Sequence, residues 1–191
     1  QLVEKDFNGP ARVSGSAGTG KTIVALHRAV YLVRKHPEAR VLLTTFSDTL
    51  ANALRTKLRR LISNEPRLAE RLEVHSMEDI GARLYERYFG KPSLVTSAQL
   101  RDLMSQASTA ISGHKFSLHF LLTEWEEVVD AWQVPNWEAY RDVKRLGRKT
   151  RLPEAQRQLL WSIFEQVIQQ LKQGKWITPA AMFTRLAGRL Q

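Results

Sequence analysis

Residues Gly15-Ser16-Ala17-Gly18-Thr19-Gly20-Lys21-Thr22 satisfy the spacing G-x-x-x-x-G-K-[ST] in full. These residue types, so spaced, suit one kind of chemistry, the gripping of a phosphate chain. The glycines let the backbone bend until successive N–H groups point into one anion-sized hollow. Lys21 would carry positive charge to the outer phosphates, and the Thr22 hydroxyl would ligate Mg²⁺. Lys21 and Thr22 are therefore the candidate catalytic residues, and Thr22 is also the candidate metal ligand. The whole run Gly15, Ser16, Ala17, Gly18, Thr19, Gly20, Lys21 and Thr22 is the candidate cofactor-binding loop. A lysine at the start of a helix opposes the helix dipole unless an anion sits there, so the pair has little purpose as packing.

Such a loop must leave a strand and open a helix. Upstream, Ala11-Arg12-Val13-Ser14 reads as a short strand after the turn pair Gly9-Pro10. Downstream, Ile23, Val24, Leu26, His27, Val30, Tyr31 and Val33 keep helical spacing until Pro37. The alternation continues. Val41 to Phe46 is a buried-type strand, and Ser47 or Asp48 caps a helix to about Ile62 with Leu50, Leu54, Leu58 and Leu61 on one face. Leu72 to His75 forms a second strand, and Ser76 heads a helix through Tyr88, with Asp79 completing a Ser-x-x-Asp capping box. The order predicts an α/β fold with a parallel sheet.

Gly90-Lys91-Pro92-Ser93 ends that pattern, and the remainder reads as helices alone. One starts at Ser97-Ala98, one spans Leu121 to Trp132, and one follows Pro135-Asn136. The longest has Pro153 at its first position and ends at Gly174, and a last one follows Thr178-Pro179. All five tryptophans fall in this half, spaced as core fillers. The expected organisation is a phosphate-binding part over residues 1–90 and an all-α subdomain over 91–191.

The chain has 191 residues and no cysteine, which excludes disulfides and thiolate metal sites. No apolar run approaches the roughly 20 residues that cross a membrane. The chain opens with neither a basic–apolar leader nor Met, and its first residues read as the middle of a helix. The expectation is a cytoplasmic protein, of which these residues are one piece. A net charge of +10 points to a polyanionic partner. Two basic runs carry much of it, one from Arg55 to Arg71 and one comprising Arg141, Lys144, Arg145, Arg148, Lys149 and Arg151. Either could equally be a solvated face.

A nucleotide-hydrolysing site of this type also needs an acidic residue at the end of a buried strand. No run of four apolar residues followed by Asp-Glu occurs. Val128-Val129-Asp130 is too short and sits in a helical pattern, and Phe120 to Glu124 is no better. The isolated chain is expected to bind nucleotide weakly and to hydrolyse it slowly or not at all.

The run from Gly15 to Ile62 resembles the opening of the UvrD/Rep/PcrA-like superfamily 1 DNA helicases. Thr45-Phe46-Ser47-Asp48 is similar to the family's Thr-Phe-Thr-Asn segment, and Glu73-Val74-His75-Ser76 loosely to its Thr-Phe-His motif. The resemblance implies a partial RecA-like domain, then the helical insertion of these enzymes, with ATP and Mg²⁺ as cofactors. It implies contact with single-stranded DNA at Thr45, Phe46, Ser47 and His75. It also implies that Arg145 and Arg148, in the helical half, lie against a duplex junction or displaced strand, and that further helicase domains complete the motor. Asp48, Thr49 and Glu73 depart from the usual Asn, Lys and Thr, which weakens the DNA contacts at those positions. Gln1, 20 positions before Lys21, stands near the place of the family's adenine-binding Gln, although that residue could also lie upstream.

The expectation is thus the ATP-binding N-terminal part of an ATP-dependent DNA helicase. Two rivals stay open on sequence. A P-loop small-molecule kinase would use the helical half as a lid. A non-catalytic nucleic-acid-binding module would carry a vestigial loop.

Overall fold

A computed structural model describes residues 3–143 and 152–190. The described chain is mixed α/β and mostly helical, with a small parallel sheet. It divides into two compact units, one up to Ile80 and one from Gly81 onward.

In the first unit α1 (Lys21–Lys35) is followed by β1 (Val41–Thr45), α2 (Asp48–Leu61), a single turn α3 (Pro66–Ala69) and β2 (Leu72–Ser76). The two strands pair in parallel with Val41 opposite Leu72 and Thr45 opposite Ser76. Parallel pairing needs a crossover, which α2 and α3 supply. The strands' period of two puts Val41, Leu43, Leu72 and Val74 against Leu26, Ala29, Val30 and Val33 of α1 and Ala51, Leu54 and Leu58 of α2. The buried stripe of α2 is Ala51, Leu54, Leu58 and then Ile62, while Leu50 stands outside it at 47% exposure. Of the expected leucine face, Leu54 and Leu58 are core residues and Leu61 packs partly buried against them, whereas Ala51 is buried in place of Leu50. Ser47 caps α2, accepting from Leu50 N at 3.2 Å.

Two upstream expectations fail. Ala11–Ser14 is irregular and exposed, not a strand. A strand exists only by pairing, and among the described residues the sheet holds β1 and β2 alone. Val3 and Glu4 form a turn, not helix.

α4 (Met77–Phe89) straddles the division between the units. Within the second unit, Tyr85 of α4 packs with Met182 and Leu186 of α9 (Pro179–Leu190). The main core of this unit joins α5 (Ser97–Ala110), α6 (Leu118–Glu124), α7 (Trp137–Asp142) and α8 (Glu154–Gln173) through Met104, Leu121, Tyr140, Leu160, Ile163, Phe164 and Val167. The helix expected over Leu121–Trp132 is instead α6 running directly into a π-helix, Trp125–Asp130. Pro153 sits at the N-cap of α8, one residue before the first position expected for it. A full capping box at Thr96 and Gln99 starts α5. Trp125 and Trp161 are core residues as expected, whereas Trp132 is 75% exposed.

Candidate nucleotide-binding site

The glycine run folds into a tight loop at the mouth of α1. Gly18 and Gly20 take φ of 80° and 79°, a left-handed conformation that a side chain resists. Gly15 is constrained differently, since a Cβ there would lie 2.8 Å from Thr19 Oγ1. That hydroxyl braces the loop by donating to the Ser16 carbonyl at 2.8 Å. Lys21 folds back over the bend, and its Nζ donates to the Gly15 and Ser16 carbonyls at 2.9 and 2.6 Å. Among the described residues its hydrogen-bond partners are neutral oxygens, so its charge is not matched by a carboxylate.

The start of α1 is correspondingly bare. Gly20 caps it without a side-chain hydrogen bond, and its first turn has no acidic residue. The opening N–H groups of any helix lack intrahelical acceptors and carry partial positive charge. Thr22 is exposed in this turn, its hydroxyl making no hydrogen bond among the described residues. Uncapped donors, an unmatched ammonium and a free hydroxyl fit the donor set that a magnesium-bound polyphosphate needs. Ser16 and Ala17 complete the exposed rim of the loop.

A ladder of cations and rings fixes the segment that leads into the loop. The Arg28 guanidinium lies 5.4 Å from the Phe7 ring centre and 5.6 Å from that of Tyr31, and donates to the Val3 carbonyl at 2.6 Å. Lys35 hydrogen-bonds Asp6 at 2.6 Å and so holds that carboxyl below the ordinary aspartate range. The pattern Asp6-Phe7 with Arg28, Tyr31 and Lys35 at helical spacing could have signalled this in the sequence.

The other candidate residues lie at the carboxyl ends of the strands. Thr45 is buried at the end of β1, and Phe46, the next residue, is 96% exposed. Ser47 is engaged as the α2 cap. At the end of β2, His75 Nδ1 lies 3.0 Å from Asp79 Oδ2 and its Nε2 lies 3.3 Å from Glu73 Oε2. Ser76 Oγ accepts from Asp79 N at 3.2 Å, as the capping pattern predicts. β1 and β2 are parallel neighbours, so Thr45 and His75 come from the same end of one sheet. Of the basic residues, Arg55 Nε donates to the Val74 carbonyl at 2.8 Å, and Arg141 pairs with Asp142. Gln1, Lys144, Arg145, Arg148, Lys149 and Arg151 lie outside the described residues.

A parallel βαβ unit, a glycine loop opening a bare helix and an exposed aromatic at a strand end make up the candidate site. The family model of the UvrD/REP helicase N-terminal domain matches residues 1–189, and the chain belongs to that family. Curated proteins gave no match to it. Among the described residues no helix is long and apolar enough to cross a membrane, and no cluster of His, Cys, Asp and Glu is suited to a metal ion.

Proposed function

We propose that this chain is the ATP-binding N-terminal part of an ATP-dependent DNA helicase or translocase. In this reading residues 1–90 are part of a RecA-like P-loop domain and residues 91–191 its helical insertion. The observation that carries the reading is the seat of Lys21, an ammonium lodged on loop carbonyls at an uncapped helix start. ATP with Mg²⁺ would supply the transferable phosphoryl group and the cation that offsets its charge. The backbone from Gly15 to Gly20 would cradle the phosphates, Lys21 would hold the outer ones, and Thr22 would face the metal. Family membership supports DNA as the substrate, with Thr45, Phe46, Ser47 and His75 on the single strand and Arg145 and Arg148 on a duplex junction. A cytoplasmic location accompanies this role.

Catalytic turnover belongs to a longer chain. The sequence offers no apolar strand ending in Asp-Glu to place the attacking water, so the 191 residues by themselves bind nucleotide weakly and turn it over slowly or not at all.

The test is the affinity of a fluorescent non-hydrolysable ATP analogue for the wild type and for Lys21→Ala. A loss of tenfold or more supports the reading. Equal affinities would overturn it and leave a nucleic-acid-binding module with an inert loop.

A further inference from the structure

The second unit holds a cavity of ≈ 330 Å³, whose wall includes Trp125, Asp130, Gln133, Lys172, Trp176 and Arg185. None of these belongs to the glycine loop. The size falls near the lower end of the roughly 300–1,000 Å³ typical of small-ligand sites.

Unusual backbone and unmet polar groups converge on this cavity. Trp125 and Asp130 are the two ends of the π-helix, a rare, widened turn that is frequently found at functional sites. Gln133 has φ 46° and Lys175, next to Trp176, has φ 54°, a left-handed conformation unfavourable for either side chain. The Trp125 indole Nε1 is buried with no acceptor among the described residues. Asp130 Oδ1 accepts from Thr178 Oγ1 at 2.5 Å and Gln133 Nε2 at 2.8 Å, which leaves Oδ2 without a hydrogen bond among the described residues. Burial pushes the pKa of this carboxyl up, outweighing the hydrogen bonds from Thr178 and Gln133, which act to lower it.

The charges are arranged in depth. The carboxyl of Asp130 is half-buried, whereas Lys172 and Arg185 are exposed. Arg185 is steadied by donating to the Tyr85 hydroxyl at 2.8 Å. The cavity therefore offers indole walls, an inner hydrogen-bond acceptor and an outer pair of cations. A lysine or arginine side chain from a partner would suit Asp130 but would meet Lys172 and Arg185 with the wrong sign. A flat ring with an amino edge and a phosphate tail satisfies all three.

We propose that this cavity is a second nucleotide site, receiving a base with an exocyclic amino group against Asp130 and its phosphate at Lys172 and Arg185. The same chemistry is offered by a free nucleotide and by one nucleotide of a strand. The inference is independent of what the glycine loop binds.

The matched pair dCMP and dUMP tests it, since the 4-amino group and bare N3 of cytosine become a carbonyl and an N3–H in uracil, which moves the donor from the exocyclic position into the ring. Calorimetric titration of the 191-residue chain is expected to show dCMP binding at least tenfold tighter than dUMP. Asp130→Asn, which can donate as well as accept, should abolish that preference. The exposed double variant Lys172→Ala/Arg185→Ala should weaken dCMP severalfold, and Lys21→Ala should leave its binding unchanged. Short oligo(dC) and oligo(dU) are titrated alongside. Discrimination by the mononucleotide points to a free ligand, discrimination by the oligonucleotides alone points to a strand, and either supports the site. Equal affinity for cytosine and uracil in both formats, no binding in either, or dCMP binding lost with Lys21→Ala overturns it. Displacement of dCMP by a lysine-rich peptide that binds more weakly to Asp130→Asn also overturns it, in favour of a protein partner.

Discussion

Tyr140 donates its phenolic hydrogen to Glu124 Oε1 across 2.8 Å, where both residues are completely buried. The bond ties α7 to the last residue of α6, directly before the π-helix begins. The Tyr140 ring also lies 5.4 Å from that of Trp161 and 5.8 Å from that of Phe164. Tyr140→Phe keeps the ring in this packing and removes the hydroxyl. An intramolecular hydrogen bond contributes about 0.5–1.5 kcal/mol net. Urea unfolding of the variant should show a stability loss of that size with an unchanged slope, and an unaltered midpoint would contradict the assignment.

Gly81 lies in α4, where glycine normally weakens a helix by about 0.5–1 kcal/mol relative to alanine. An alanine Cβ there would stand 2.6 Å from Phe183 Cζ and 2.7 Å from Met182 Cε. Overpacking of this kind costs about 1–3 kcal/mol, which exceeds the gain in helix propensity. Gly81→Ala is therefore expected to lower the thermal midpoint, and adding Phe183→Leu to recover part of the loss. A Gly81→Ala variant more stable than the wild type would show that α4 and α9 have room to part.

Features set by neighbouring residues were legible in the sequence. The Gly15–Thr22 loop, a helix start at Ser47 or Asp48, both strands and the span of α8 follow from spacing and capping chemistry within a turn or two. What depends on distant partners was not. Ala11–Ser14 has strand-like residues but no strand to pair with, and Leu50 loses its place in the core to Ala51. The π-helix cannot be read from Trp125–Asp130, because the same residues suit the periodicity of an ordinary α-helix. The glycine loop announced itself, but the Thr19 brace and the lodging of Lys21 on two carbonyls arise only from the path of the folded bend. The cavity beside Asp130 was invisible for the same reason, its wall being drawn from residues as far apart as Trp125 and Arg185.

Asp130 also gives a pH dependence. Burial raises its pKa in the folded state above the ordinary aspartate value. The folded chain therefore holds that proton more tightly than the unfolded one, so the contribution is fully present below the ordinary value. It is lost as the pH rises through the higher, folded pKa. Asn in this place keeps an oxygen for Thr178 Oγ1 without the charge. Relative to wild type, Asp130→Asn should thus gain stability as pH rises from the acid range towards neutrality. Unfolding midpoints collected across that range check the sign, and a difference that stays flat would mean the carboxyl titrates as it does in water.

Phe46 is 96% exposed directly after β1, although a phenylalanine ordinarily gains by burial. Removing it should leave the fold intact, since almost none of its surface is covered. If the strand ends track single-stranded DNA, as the proposed function holds, the ring offers a flat face on which a base can stack, worth about 1–3 kcal/mol per base. Phe46→Ala should then weaken binding of a single-stranded oligonucleotide by roughly five- to 150-fold. Phe46→Trp should preserve it, and Phe46→Leu, apolar but not flat, should resemble the alanine variant. Fluorescence anisotropy repeated across a series of salt concentrations separates this from phosphate contacts, because loss of a stacking residue lowers affinity without changing the slope against salt. Affinities that rank with hydrophobicity instead of aromaticity would place the ring against another part of the protein and not against DNA.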